Sequence, residues 1–134
     1  MRITKSNVQF VPKGWGFEKW IDNNALYCGK LLYFVKNRRC SLHYHENKTE
    51  TFYIHSGKLE VRYSDNLDQL RIHLNSYGDR GLYDFLEKEI LEQGDTFYVP
   101  PGRVHQMIAL EDTELFEFST HHEETDSYRL IKGD

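Results

Sequence analysis

Short apolar runs of four to nine residues alternate along this chain with clusters of turn-forming residues, and that rhythm predicts an all-β fold. Strands are expected over residues 17–21, 27–35, 39–45, 50–55, 58–63, 96–99, 105–110 and 114–120. Lys36-Asn37-Arg38 breaks the second run, and Asn suits a tight turn because it tolerates positive φ. Ser56-Gly57 reads as a hairpin turn, and Gly94-Asp95 and Pro100-Pro101-Gly102 bracket the strand at 96–99. Within 50–55 the period of two puts Glu50, Phe52 and Ile54 on one face and Thr51, Tyr53 and His55 on the other. With Glu50 inward, Phe52 and Ile54 line a barrel, and the outward Tyr53 and His55 become candidates for a subunit contact.

Residues 64–89 interrupt the rhythm. Asp65-Asn66 and Tyr77-Gly78-Asp79-Arg80-Gly81 read as loops, 70–74 as a short strand, and 82–86 as either one helical turn or irregular chain. The whole stretch is read as an insertion in a hairpin connection. A chain of 134 residues suits one domain, 1–134, with a barrel core of about 27–120. Residues 1–26 form an N-terminal arm, and residues 121–134 a tail that packs back over the barrel.

Composition narrows the class. Hydrophobic residues at 39% and aromatics at 14% support a buried core and exclude a disordered chain. A formal net charge of -4 gives no overall positive field for nucleic acid or an anionic membrane, and Lys36 to Arg39 is read as a solvated turn. Met1 to Lys5 has no apolar stretch of signal-peptide length, and no run approaches the roughly 18 apolar residues of a membrane span. Cys28 and Cys40 fall outside metal-finger and redox spacings, so a cytoplasmic protein with free thiols is expected.

The chemistry concentrates at His43-Tyr44-His45, where two imidazoles share one strand face. Glu50 on the next strand adds an oxygen donor, and His105 from a distant strand can close the set. Three nitrogens and one oxygen suit a single divalent ion of iron, manganese, nickel or zinc. One or two coordination positions then stay open, as in a catalytic site. Glu117 is a candidate acid or base if its face is inward, because burial raises a carboxyl pKa toward the range useful for proton transfer. Lys30 and Tyr33 lie on opposite faces of one strand, so only one can line the cavity; Lys30 is taken as a candidate substrate contact. Arg103 and Gln106 flank His105, and Arg103 is a candidate for a bidentate grip on phosphate or carboxylate. His121 and His122 are adjacent and point to opposite faces, so they are not expected to bind the main metal. His73 has no assigned role.

These residues resemble the two motifs of the cupin superfamily. His43, His45, Glu50 and Gly57 match the first motif, and Gly94, Pro100, Gly102 and His105 match the second. Asn37 and Ala109 depart from the glycine and asparagine usual there; neither is a ligand position. The resemblance implies a jelly-roll β-barrel, the metal set His43, His45, Glu50 and His105, and frequently a homodimer.

A narrower resemblance reaches both ends. Lys13-Gly14-Trp15-Gly16-Phe17-Glu18, Ser41-Leu42, Phe116-Glu117-Phe118-Ser119-Thr120 and Asp126-Ser127-Tyr128-Arg129 are similar to mannose-6-phosphate isomerase-type cupins, although a glutamine often stands there in place of His43. It implies an isomerase or epimerase of a sugar or sugar phosphate, with a carbohydrate-like ligand. An iron-dependent cupin dioxygenase and a non-catalytic sugar-binding module stay open as alternatives, because one fold hosts many functions.

Overall fold

The computed structural model describes residues 8–134, and the reading of Met1 to Lys5 lies outside them. The strands are β1 (Gln9–Lys13), β2 (Gly16–Asn23), β3 (Cys28–Phe34), β4 (Leu42–Tyr44), β5 (Glu50–Ser56) and β6 (Lys58–Ser64). After the helix α1 (Leu67–Tyr77) come β7 (Glu87–Glu92), β8 (Thr96–Val99), β9 (Val104–Ala109), β10 (Thr113–Ser119) and β11 (Tyr128–Ile131). They form a six-stranded sheet, β1-β2-β3-β10-β5-β8, and a five-stranded sheet, β11-β4-β9-β6-β7. Among the described residues every strand pairing is antiparallel. This is the jelly-roll barrel of the expected all-β class.

The alternation of burial along β3, β5 and β10 explains why these segments are strands. Leu32, Phe34, Phe52, Ile54 and Leu115 are buried and meet Leu59, Val61, Met107 and Ala109 from the other sheet. Burying each large apolar side chain stabilises the barrel by about 1.5–3 kcal/mol. Trp15 closes one end of this core by stacking on Phe34 with ring centroids 4.0 Å apart. Two free cysteines, Cys28 and Cys40, are buried, Cys40 within this core, where burial pushes its thiol up to about 12.

Three expectations are corrected. The described part of the expected N-terminal arm is sheet: β1 and β2 are strands of the six-stranded sheet, with β2 paired to β3 along its length. The stretch 70–74 is helix, because Leu70 and Leu74 lie four apart on one face and Asn66 caps the N-terminus by accepting from the Gln69 amide. A short 3-10 turn, Leu82–Phe85, follows. Leu70, Leu82 and Leu86 then form a second core with Leu42, Tyr44 and Val104, on the outer face of the five-stranded sheet. The insertion is therefore a packed cover. The third correction is β7, a strand absent from the expected set, in which Leu91 alone is buried. The tail does return to the barrel, as the edge strand β11 on β4.

The hairpin between β5 and β6 depends on Gly57, whose φ is 96°. A Cβ there would collide with the Asp112 carbonyl oxygen and the Thr113 Oγ1. Gly57→Ala is expected to destabilise the protein by more than about 1 kcal/mol. A chemical-denaturation midpoint unchanged from wild type would contradict this account of the turn.

Candidate metal centre

β4 is three residues long, and its alternation sends Leu42 and Tyr44 to the outer core while His43 points inward. His45 follows directly after the strand. His43 lies opposite His105 in the β4–β9 register. The three imidazoles converge so that one ring nitrogen from each lies within 4.8 Å of the other two. Glu50 stands beside them, with Oε1 3.1 Å from His45 Nε2 and 3.6 Å from His105 Nε2.

The far nitrogens explain the convergence. Nδ1 of His43 donates to the Ser41 carbonyl at 2.9 Å, Nδ1 of His45 to the Asp126 carbonyl at 2.8 Å, and Nδ1 of His105 to the Arg103 carbonyl at 3.0 Å. A ring that donates from Nδ1 carries its lone pair on Nε2, the form that ligates a metal. Burial first, and then the neighbouring imidazoles, hold His43 well below the usual imidazole range; burial also lowers His105. Both rings are therefore neutral at pH 7; burial lowers His45 as well, but the neighbouring Glu50 outweighs it and raises that ring. His105 Nε2 and Glu50 Oε1 are buried and lack any hydrogen-bond partner among the described residues. An orphaned nitrogen and an orphaned carboxylate oxygen, both aimed at one point, fit a bound cation. His43, His45 and His105 would hold a divalent ion, with Glu50 as the fourth ligand.

The loop between β4 and β5 is held from outside. The Asp126 carboxylate accepts from the amides of Glu46, Asn47 and Lys48, while its carbonyl orients His45. One residue thus fixes both the ligand and the loop that carries the chain to Glu50.

A cavity of about 180 Å³ opens beside the imidazoles. Lys30 and Glu117 both face it, and both are nearly fully buried. They are direct partners in the β10–β3 register. Lys30 lies 3.5 Å from Glu18 and 4.3 Å from the Trp20 ring centroid. Lys48, in the polar turn between β4 and β5, reaches the same cavity and sits 2.8 Å from Glu117 Oε2 and 3.4 Å from Glu50 Oε2. Burial opposes its charge, but Glu117 and Glu50 outweigh that and raise its pKa. Glu50 is desolvated too, yet His45, Lys48 and His105 hold it well below the usual carboxylate range. Glu117 moves the other way: burial first and the Glu50 charge second raise it. Lys48 lies two residues before Glu50, so alternation alone could have put both on one face.

Two proposed substrate contacts lie elsewhere. Arg103 does not line the cavity: its guanidinium is held bidentately by Asp65, at 2.8 and 3.0 Å, and also donates to the Tyr98 carbonyl. Gln106 lies on the opposite face of β9 from His105 and donates to the Cys40 carbonyl. His122 lines the cavity, accepting from Lys48 Nζ at 2.8 Å, but stands outside the converging set; His121 contacts the Asn24 carbonyl.

The Cupin family matches residues 28–129, and the chain belongs to it. No curated protein matches the chain. Among solved structures, the capsular polysaccharide assembling protein CapF from Staphylococcus aureus superposes with a TM-score of 0.72 at 15% identity, over 95% of this chain and 32% of that one. Oxalate decarboxylase from Bacillus subtilis gives 0.71 at 17% identity, over 93% of this chain and 30% of that one. KdgF from Halomonas sp. gives 0.60 at 20% identity, over 81% of each chain. At these identities the likeness establishes the fold alone. The chain spans about a third of the length of CapF and oxalate decarboxylase.

His105→Ala is expected to abolish stoichiometric binding of zinc or manganese by the purified protein. Asp126→Ala should weaken it by roughly 10–100-fold through the loosened loop. Titration calorimetry showing wild-type affinity in His105→Ala would remove the metal assignment.

Proposed function

We propose that this protein is a metal-dependent isomerase or epimerase acting on a sugar or sugar phosphate, of the mannose-6-phosphate isomerase type, with Glu117 as its acid–base group. The observation that carries this reading is a buried carboxylate with a free oxygen in the same cavity as three metal-ready imidazoles. Glu117 Oε2 accepts from Ser119 Oγ at 2.9 Å and faces Lys48, which leaves Oε1 for a substrate proton. Held by His43, His45 and His105, a divalent ion would supply Lewis-acid polarisation of a carbonyl and hydroxyl pair.

Isomerisation of an aldose to a ketose moves one proton from C2 to C1 and a second from the C2 hydroxyl to the C1 carbonyl oxygen, the second passing between those two neighbouring oxygens of the substrate itself. Glu117 takes and returns the carbon-bound proton at Oε1, and its raised pKa brings it closer to neutrality for both halves of the transfer. Lys48 holds the carboxylate in place and balances its charge when ionised. Trp15, Leu32, Phe34 and Phe52 wall the cavity and keep bulk water from the exposed carbanion. CapF, a neighbour in fold, is a capsular polysaccharide assembling protein, in keeping with a carbohydrate ligand.

Glu117→Gln should lower kcat by about 10²–10⁴-fold on a responsive substrate while metal content stays at wild type. The screen is metal-loaded protein against a broad panel of aldose and ketose phosphates, followed by NMR. No interconversion anywhere in the panel would sink the isomerase reading, and oxygen uptake that requires ferrous iron would replace it with a dioxygenase.

We further infer a homodimer formed through the outer face of the six-stranded sheet. Phe10, Tyr53, Tyr98 and Phe118 are exposed there, with Leu31, Tyr33 and Phe116 half-buried between them. Phe116 lies opposite both Leu31 and Tyr53 in register, so the apolar stripe is continuous across three strands. A second copy is the favoured occupant because a two-fold pairing sets the same stripe on both sides of the contact. Light scattering should give twice the 16.0 kDa chain mass, and Phe118→Glu should halve it. A monomeric wild type at micromolar concentration would refute the interface. The two unpaired cysteines support a cytoplasmic setting. Among the described residues, no helix is long and apolar enough to cross a membrane.

A further inference from the structure

The cavity has two kinds of cation. Lys30 and Lys48, deep inside, are neutralised by Glu18, Glu50 and Glu117. Lys13, Arg129 and Lys132 line the rim, and none of the three forms an ion pair among the described residues. They come from β1, β11 and the residue after β11, so the fold gathers them from two ends of the chain.

Arg129 is the best placed. In the β11–β4 register it lies directly opposite His43, which in turn lies opposite His105. Directly opposed residues on neighbouring strands project to the same face of a sheet. Arg129 therefore extends the row of metal-ready imidazoles by one strand, out to the sheet edge. The acidic groups at the same rim are already engaged. Glu124 accepts from His122 Nε2 at 3.0 Å, and the Asp134 carboxylate accepts from the Arg39 amide at 2.9 Å. Lys13 and Lys30 also lower the Glu124 pKa from a greater distance, after its hydrogen bond to His122.

The charge count adds a second argument. Five Lys or Arg and five Asp or Glu side chains line the cavity, so they balance. A divalent ion at the histidines would leave the cavity net positive, which an anionic group such as a phosphomonoester would offset. An Arg guanidinium also fits two phosphate oxygens at once.

We propose that Arg129, supported by Lys13 and Lys132, clamps the phosphate of the substrate, which makes that substrate a sugar phosphate and not a free sugar. The inference rests on the reading of this cavity as a carbohydrate site. Arg129 takes the part that the sequence reading gave to Arg103, whose charge is spent on Asp65.

The test is titration calorimetry on the metal-loaded full chain with four probes: inorganic phosphate, an aldose 6-phosphate, the same aldose unphosphorylated, and the corresponding uronate. The aldose phosphate should bind at least tenfold more tightly than the aldose and the uronate, and the gap should narrow as salt rises. Arg129→Gln should lose at least tenfold in affinity for the aldose phosphate and for inorganic phosphate, with metal content and melting temperature unchanged. Arg129→Lys should recover part of that loss, and Lys13→Met with Lys132→Met should show a smaller one. Wild-type phosphate affinity in Arg129→Gln, or equal affinity for aldose and aldose phosphate, would overturn the clamp. Selective phosphate binding without any turnover removes the isomerase reading and leaves the clamp; turnover without phosphate preference does the reverse.

Discussion

Three imidazoles can turn their bare nitrogens toward one point only if something else satisfies the opposite nitrogens. In this barrel three backbone carbonyls do so, those of Ser41, Arg103 and Asp126. Each hydrogen bond fixes a tautomer and a ring plane together, so the donor set is organised before any cation arrives. Ser41, Arg103 and Asp126 lie just before β4, β9 and β11, so the segments entering three strands take part in building the candidate metal site. Without those carbonyls, burial would leave these rings free to adopt the other tautomer or to rotate away.

The second constraint is electrostatic. Glu50 and Glu117 approach the same buried volume, where two carboxylates would repel with little water to screen them. Lys48 lies between them and makes the arrangement tenable. The environment then drives the two acids apart in character: Glu50 is kept ionised by the cations and imidazoles around it, and Glu117 is biased toward its neutral form. Two carboxyl groups of one chemistry thus acquire opposite protonation tendencies, as the proposed ligating and proton-carrying roles require. Removing one partner from such a buried cluster costs about 3–5 kcal/mol, so the site and the stability of the barrel are linked.

Much of this was legible in the residues themselves, and the misses have physical causes. The strands expected at 96–99 and 50–55 follow from alternation and from Gly and Pro at their ends. His43, His45 and His105 are legible because paired motifs at fixed spacing name them. Alternation also separated Lys30 from Tyr33. The helix at Leu67–Tyr77 was missed because only one of its residues is fully buried, which left the window looking polar. β7 was missed for the same reason. Arg103 was misassigned because nearness to His105 in sequence says nothing about Asp65, which is 38 residues away. The role of Asp126 depends on contacts spanning about 80 residues, which no local pattern records.

β11 is a four-residue edge strand held on β4 alone, with a register shift near its end. Edge elements of this kind open by local unfolding well below the energy of global denaturation. Asp126, just before the strand, supplies both the carbonyl that orients His45 and the carboxylate that secures the adjoining loop. A single fraying event at β11 would release a ligand's tautomeric lock, loosen the 46–48 loop and carry Arg129 off the rim together. Cation escape and ligand departure would then share one rate, set by the breathing of a short strand far from either end of the reaction coordinate.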